Sequence, residues 1–124
     1  MKEEFNYTDP IISKEIAELG IKWKASHFWV FIPGRGVYVL KNKGQIFAKA
    51  FPAYNMTELG HIIPFGFFNE MKIHKYLDGY FKVQLSDEIW LTVTSEVEAR
   101  ARFLIDLVKS GKANVTSTPT FYSK

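Results

Sequence analysis

Glu58 and His61 stand three residues apart in Asn55-Met56-Thr57-Glu58-Leu59-Gly60-His61, the Glu-x-x-His spacing that puts a carboxylate and an imidazole on one helical face. Metal sites built this way need a second such pair and further glutamates on long helices, and the chain has neither. Glu58 has a simpler use: three residues after Asn55, it can close a capping box at a helix start. His27 and His74 add no ligand spacing. There is no cysteine, which removes disulfides, thiolate metal sites and thiol nucleophiles together. No Gly-x-Ser-x-Gly occurs, the serines fall in caps, turns and the tail, and the paired carboxylates Asp87-Glu88 sit in an expected turn. Pro33-Gly34-Arg35-Gly36 contains Gly-x-Gly but lacks the third glycine and following helix of a dinucleotide loop, so it reads as a turn. These residues imply no metal, no cofactor and no catalytic group, and the reading leans away from an enzyme.

Binding chemistry is better represented. Between Glu18 and Glu58 no acid occurs, while Lys22, Lys24, Arg35, Lys41, Lys43 and Lys49 do, interleaved with Trp23, Phe28, Trp29, Phe31, Tyr38 and Phe47. Cations beside rings can hold single-stranded nucleic acid, with Arg35, Lys41, Lys43 and Lys49 as candidate contacts. Asp78 to Leu85 also overlaps an RNA-recognition-motif strand at Gly79, Tyr80 and Val83, although Asp78 stands where a base is wanted and Lys82 and Leu85 where rings are. The element order differs from that motif as well. The second candidate is Pro64-Phe65-Gly66-Phe67-Phe68, an apolar run beside turn formers whose rings cannot all point into one core. Phe65, Phe67 and Phe68 are therefore candidate anchors for a protein partner or for self-association.

The elements that must position these residues follow from turn chemistry and apolar period. Asp9-Pro10 starts a helix over 10–19, with Ile12, Ile16 and Leu19 as its stripe and Gly20-Ile21 as its stop. His27–Ile32 and Val37–Leu40 flank the Pro33–Gly36 turn. Asn42-Lys43-Gly44 turns into a third strand, Gln45–Phe51, to complete a meander. Asn55 caps a short helix carrying Met56, Leu59, Ile62 and Ile63, which Pro64 ends. Met71–Leu77 and Tyr80–Leu85 flank Asp78-Gly79, read as a type I′ turn, and Ile89–Thr94 follows Ser86-Asp87-Glu88. Ser95 and Glu98 open a last helix with Val97, Ala101, Leu104, Ile105 and Val108 on one stripe, ending at Gly111.

The order α-βββ-α-βββ-α, rich in hairpins and free of required crossovers, predicts an α+β fold of an antiparallel sheet, or two small ones, with helices on one face. A chain of 124 residues fits one domain, expected over 1–111, with 112–124 as a flexible tail. Eleven Phe, six Tyr and three Trp suit a sheet-rich core packed by large rings. The acidic start MKEEFNYTDP is unlike a signal peptide, and no apolar run reaches the roughly 18 residues of a membrane span, so a cytoplasmic location is expected.

Ala53-Tyr54-Asn55-Met56-Thr57-Glu58-Leu59-Gly60-His61-Ile62-Ile63-Pro64 resembles a segment of small uncharacterised proteins encoded by phages and prophages of gut bacteria. Their layout is similar too, with an early helix closing like Glu18-Leu19-Gly20-Ile21, an aromatic strand like Phe28-Trp29-Val30 and a last helix like Glu98–Val108. The resemblance spans Asp9 to Lys109. It departs at Asn55, where threonine is common, and at Gly60-His61. It implies a phage or mobile-element accessory protein, with no catalytic residue, cofactor or substrate. Combined with the residue reading, the expected function is non-enzymatic protein–protein interaction, and single-stranded nucleic-acid binding through 22–49 is the alternative.

Overall fold

Asp9 starts the first helix by accepting the backbone N–H of Ile12 on Oδ1 at 2.8 Å, while Pro10, with no N–H to satisfy, takes the first helical position. Helix α1 (Pro10–Glu18) buries Ile12 and Ile16. It stops where Gly20 turns left-handed at φ 85°. The Gly20 N–H reaches the Ala17 carbonyl at 3.0 Å and the Ile21 N–H the Ile16 carbonyl at 3.4 Å, the paired bonds of a Schellman motif. The computed structural model describes residues 6–21, 23–42, 50–63, 67, 71–85 and 88–112.

Two three-stranded antiparallel sheets follow, separated by a helix. In the first, β1 (His27–Ile32), β2 (Val37–Asn42) and β3 (Ala50–Ala53) lie in the order β2-β1-β3, which corrects the expected meander. β1 takes the centre because both of its sides are apolar, with Trp29 and Val30 buried back to back. β3 carries Pro52, whose missing N–H suits a strand bonded on one side only. The turn at Lys43-Gly44 and the strand residues 45–49 lie outside the described residues.

Helix α2 (Met56–Ile62) opens with the expected capping box: Glu58 N–H donates to Asn55 Oδ1 at 2.8 Å, and Asn55 N–H donates to Glu58 Oε1 at 3.0 Å. Ile63 is already extended, at ψ 122°, as a residue ahead of proline must be.

The second sheet is a true meander, β4 (Ile73–Lys75), β5 (Phe81–Gln84) and β6 (Trp90–Val93), in the order β4-β5-β6. Its first hairpin corrects the type I′ expectation. Tyr76 N–H donates to Tyr80 O at 2.8 Å and Gly79 N–H to Tyr76 O at 3.0 Å, leaving a three-residue loop in which Gly79 has positive φ and Asp78 does not. In the next hairpin Glu88 holds the left-handed position, φ 66°, with Leu85 and Ile89 paired at 2.9 Å. A side chain there costs about 1–2 kcal/mol. Gly79→Val and Glu88→Gly should therefore move stability in opposite directions, by roughly 1–2 kcal/mol down and about 0.5–1 kcal/mol up. Urea midpoints check this; a Gly79→Val variant that melts like the wild type would contradict the turn assignment.

Helix α3 (Glu96–Lys109) is the hub, touching α1, α2, β5 and β6. Of the expected stripe, Val97, Ala101, Leu104 and Ile105 are buried and Val108 is half-buried, and a second stripe, Ala99, Phe103 and Leu107, is buried beside it. Ser95 Oγ accepts the Glu98 N–H at 3.1 Å, but the Glu98 carboxylate reaches one residue further back than a capping box requires, to Thr94 N and Oγ1 at 3.2 and 3.0 Å. Arg102 ties α3 to Glu15 of α1 at 2.6 Å. The Gly111 and Lys112 N–H groups close the helix on Val108 O and Leu107 O. The fold is α+β with the order α-βββ-α-βββ-α. No helix among the described residues is long and apolar enough to cross a membrane.

Candidate binding face

Three places bring polar side chains together, and two of them are occupied in holding the fold. The first is buried. Thr8 and Ser13 exchange a hydroxyl contact at 2.6 Å, Ser13 Oγ donates to Thr8 O at 3.1 Å, and Trp29 Nε1 donates to the same carbonyl at 2.7 Å. Tyr54 N–H donates to Thr8 Oγ1 at 3.1 Å, and the Tyr54 hydroxyl donates to Trp23 O at 3.0 Å while accepting the Trp23 N–H at 3.1 Å. Among the described residues no buried side-chain polar atom lacks a partner. The network joins the start of α1 to β1 and β3.

Burial pushes the Tyr54 phenol well above its ordinary value near 10; the bond to the Trp23 backbone opposes this, and the Glu58 carboxylate adds to it. A raised folded-state pKa means stability that is complete below the unfolded value and declines as pH rises past it. Unfolding free energy should thus fall above pH 10 by up to about 1.4 kcal/mol per pH unit for this group. Tyr54→Phe should lose that component of the alkaline slope, and identical slopes for both proteins would contradict it.

The second place is where α3 begins beside the starts of α1 and α2, flanked by clefts of about 320 and 450 Å³. Its carboxylates are engaged: Asp9 with the Ile12 backbone, Glu58 with those of Asn55 and Ser26, Glu98 with that of Thr94, and Glu96 with the Arg100 side chain. Ser26 Oγ does meet His27 Nδ1 at 2.9 Å, a serine–imidazole pair that sequence reasoning passed over. The Glu58 carboxylate takes the Ser26 N–H at 2.8 Å and so fixes the segment ahead of β1. No group of three His, Cys, Asp or Glu among the described residues could hold a metal.

The third place is the face of the second sheet turned away from α3. Strand alternation sends Ile73, Phe81, Val83, Leu91 and Val93 inward and leaves His74, Lys82, Gln84, Trp90 and Thr92 outward. The register sets His74 opposite Lys82, Lys82 opposite Thr92, and Gln84 opposite Trp90. Lys82 Nζ stands 5.4 Å from the Tyr76 ring centroid, and His74 meets Trp90 edge-on with centroids 5.0 Å apart. Trp90 is 40% exposed, Tyr76 45% and Tyr80 48%, and Leu77 at the hairpin tip is fully exposed. Within the three strands themselves the cations are Lys82, outward, and Lys75, on the inward parity beside Phe81, with no carboxylate.

The residues singled out from sequence fare differently. Phe67 is half-buried and packs against the core, so it does not stand out as a surface anchor; Phe65 and Phe68 lie outside the described residues. Arg35 is at the exposed tip of the first hairpin and Lys41 is half-buried near the far end of β2, so the fold does not bring the two together. Lys22, Lys43 and Lys49 lie outside the described residues. Trp23 and Trp29 are buried, and of the acid-free segment's rings among the described residues only Tyr38, packed against Phe31 and Phe51 at 5.2 and 5.3 Å, is exposed. The outward face of the second sheet was missed. The available signal was that His74-x-Tyr76, Tyr80-x-Lys82-x-Gln84 and Trp90-x-Thr92 share one parity.

Set against protein-family models, curated proteins and solved structures, the chain finds no match in any of the three.

Proposed function

We propose that the protein is a non-catalytic recognition module whose working surface is the outward face of β4-β5-β6. The observation that supports this most is the pairing of half-exposed rings with cationic or imidazole side chains, Tyr76 with Lys82 and Trp90 with His74, on strands that carry no acid. Exposed aromatic rings grouped on one face are unusual on a surface that meets only water. An accessory protein of a phage or mobile element would act through such a face.

A second reading, contact with a protein partner, draws on Leu77, fully exposed between Tyr76 and Tyr80 on the hairpin tip. Amide chemical-shift mapping tests the first. Isotope-labelled protein is titrated separately with oligo(dT), with heparin and with phosphatidylserine vesicles. The reading predicts that at least one probe produces its largest shifts within residues 72–93. Shifts concentrated at the helix-start clefts, or none from any probe, would remove it.

A further inference from the structure

We infer that the ligand of this face is a single-stranded nucleic acid, an inference that rests on the recognition role proposed above. Three features of the face select that chemistry. The first is the pair of stacking platforms: Tyr76, just after β4, and Trp90 on β6 sit at diagonal corners of the sheet, their backbones about 15 Å apart from strand spacing and rise. A ligand touching both must run obliquely across the three strands. The second is Lys82, on the central strand between those corners, where it can meet a phosphate joining two stacked bases.

The third is the sign of the charge. Lys72, whose carbonyl accepts the Gln84 N–H at 3.0 Å, shares the outward parity of His74 and adds its charge to that of Lys82. Asp78 and Glu88 are the acids of the described sheet region, and both fall in hairpin loops. Asp78 Oδ1 is turned into its own loop, accepting the Tyr80 N–H at 3.2 Å. Anionic links between planar, stackable groups match that surface. A duplex hides its base faces and offers nothing to flat rings on a sheet. Gln84, next to Trp90 in the register, supplies a donor and an acceptor for a base edge.

The test is fluorescence anisotropy on the full chain with labelled oligo(dT), oligo(U), an abasic oligomer of the same length and a duplex, with heparin as competitor. The inference predicts that oligo(dT) or oligo(U) binds at least tenfold more tightly than the abasic strand and the duplex. Trp90→Ala and Tyr76→Ala should each weaken binding by roughly 5- to 150-fold, the range of one lost base–ring stack. Trp90→Phe should restore most of that loss, and Lys82→Gln should lower the slope of log affinity against log salt by about one.

Unfolding curves for each variant keep a loss of binding separate from a loss of fold. Equal affinity for the abasic strand, heparin and oligo(dT), with no effect of Trp90→Ala, would overturn the nucleic-acid inference; amide shifts on residues 72–93 would then leave the recognition role standing. No binding by any of these polyanions at low salt, with no shifts on the face, would overturn both.

Discussion

Leu104→Ala is expected to lower the unfolding free energy by about 2–5 kcal/mol, a large share of the roughly 5–15 kcal/mol available to a domain of this kind. Leu104 is fully buried on the helix that touches α1, α2, β5 and β6, so the void opens in the core that this helix shares with them. Little can move in to fill it. Ala99 and Ala101, also fully buried, already let neighbouring backbones approach closely and have no side-chain length to spare. The cavity cost adds to the lost transfer energy for that reason. Urea unfolding checks the value through a lower midpoint at an unchanged slope. A shift near zero would mean that α3 is not the hub described.

Thr8→Val is expected to be the second largest loss, although the two side chains have nearly the same shape. The substitution deletes one hydroxyl, and the Tyr54 N–H and Ser13 Oγ lose a partner together. Tyr54 is fully buried, so no water replaces that oxygen and its stranded N–H costs about 1–3 kcal/mol, while Ser13 Oγ keeps its bond to the Thr8 carbonyl. Thr8→Ser keeps the hydroxyl and should cost less. Because Thr8 and Ser13 belong to one network, the double variant Thr8→Val with Ser13→Ala should be destabilised by less than the two single losses added. Strict additivity, or a neutral Thr8→Val, would show that the network carries no cooperative weight.

What the sequence made legible was local. Asp9, Asn55 and Ser95 cap helices because a short polar side chain can reach an unpaired N–H, a reach fixed within three residues. Gly20 and Gly111 end helices because their backbones turn left-handed. The β2-β1-β3 order was not legible, since it depends on which side of β1 admits β3, and both sides of β1 are apolar. Thr8 and Tyr54, separated by 46 positions, gave no local hint of their bond.

The binding face escaped for a related reason. Trp90-Leu91-Thr92-Val93 alternates, but either parity could be read as the buried one, since tryptophan competes with leucine and valine for the inside. Only the register with Val83 and the cover supplied by α3 put Leu91 and Val93 in and Trp90 out. The acid-free stretch from 19 to 57 drew attention for its charge, yet its tryptophans are interior and its described cations are dispersed.

Urea unfolding of Trp90→Ala tests most directly the claim that the inward residues hold the fold while the outward face of the second sheet is kept for a ligand. The account predicts a loss of no more than about 1–2 kcal/mol, below that of Leu104→Ala, because Trp90 is 40% exposed on the outer face and its removal leaves no enclosed cavity. A loss comparable to that of Leu104→Ala would make Trp90 a structural residue and remove the reason to regard that face as a binding surface.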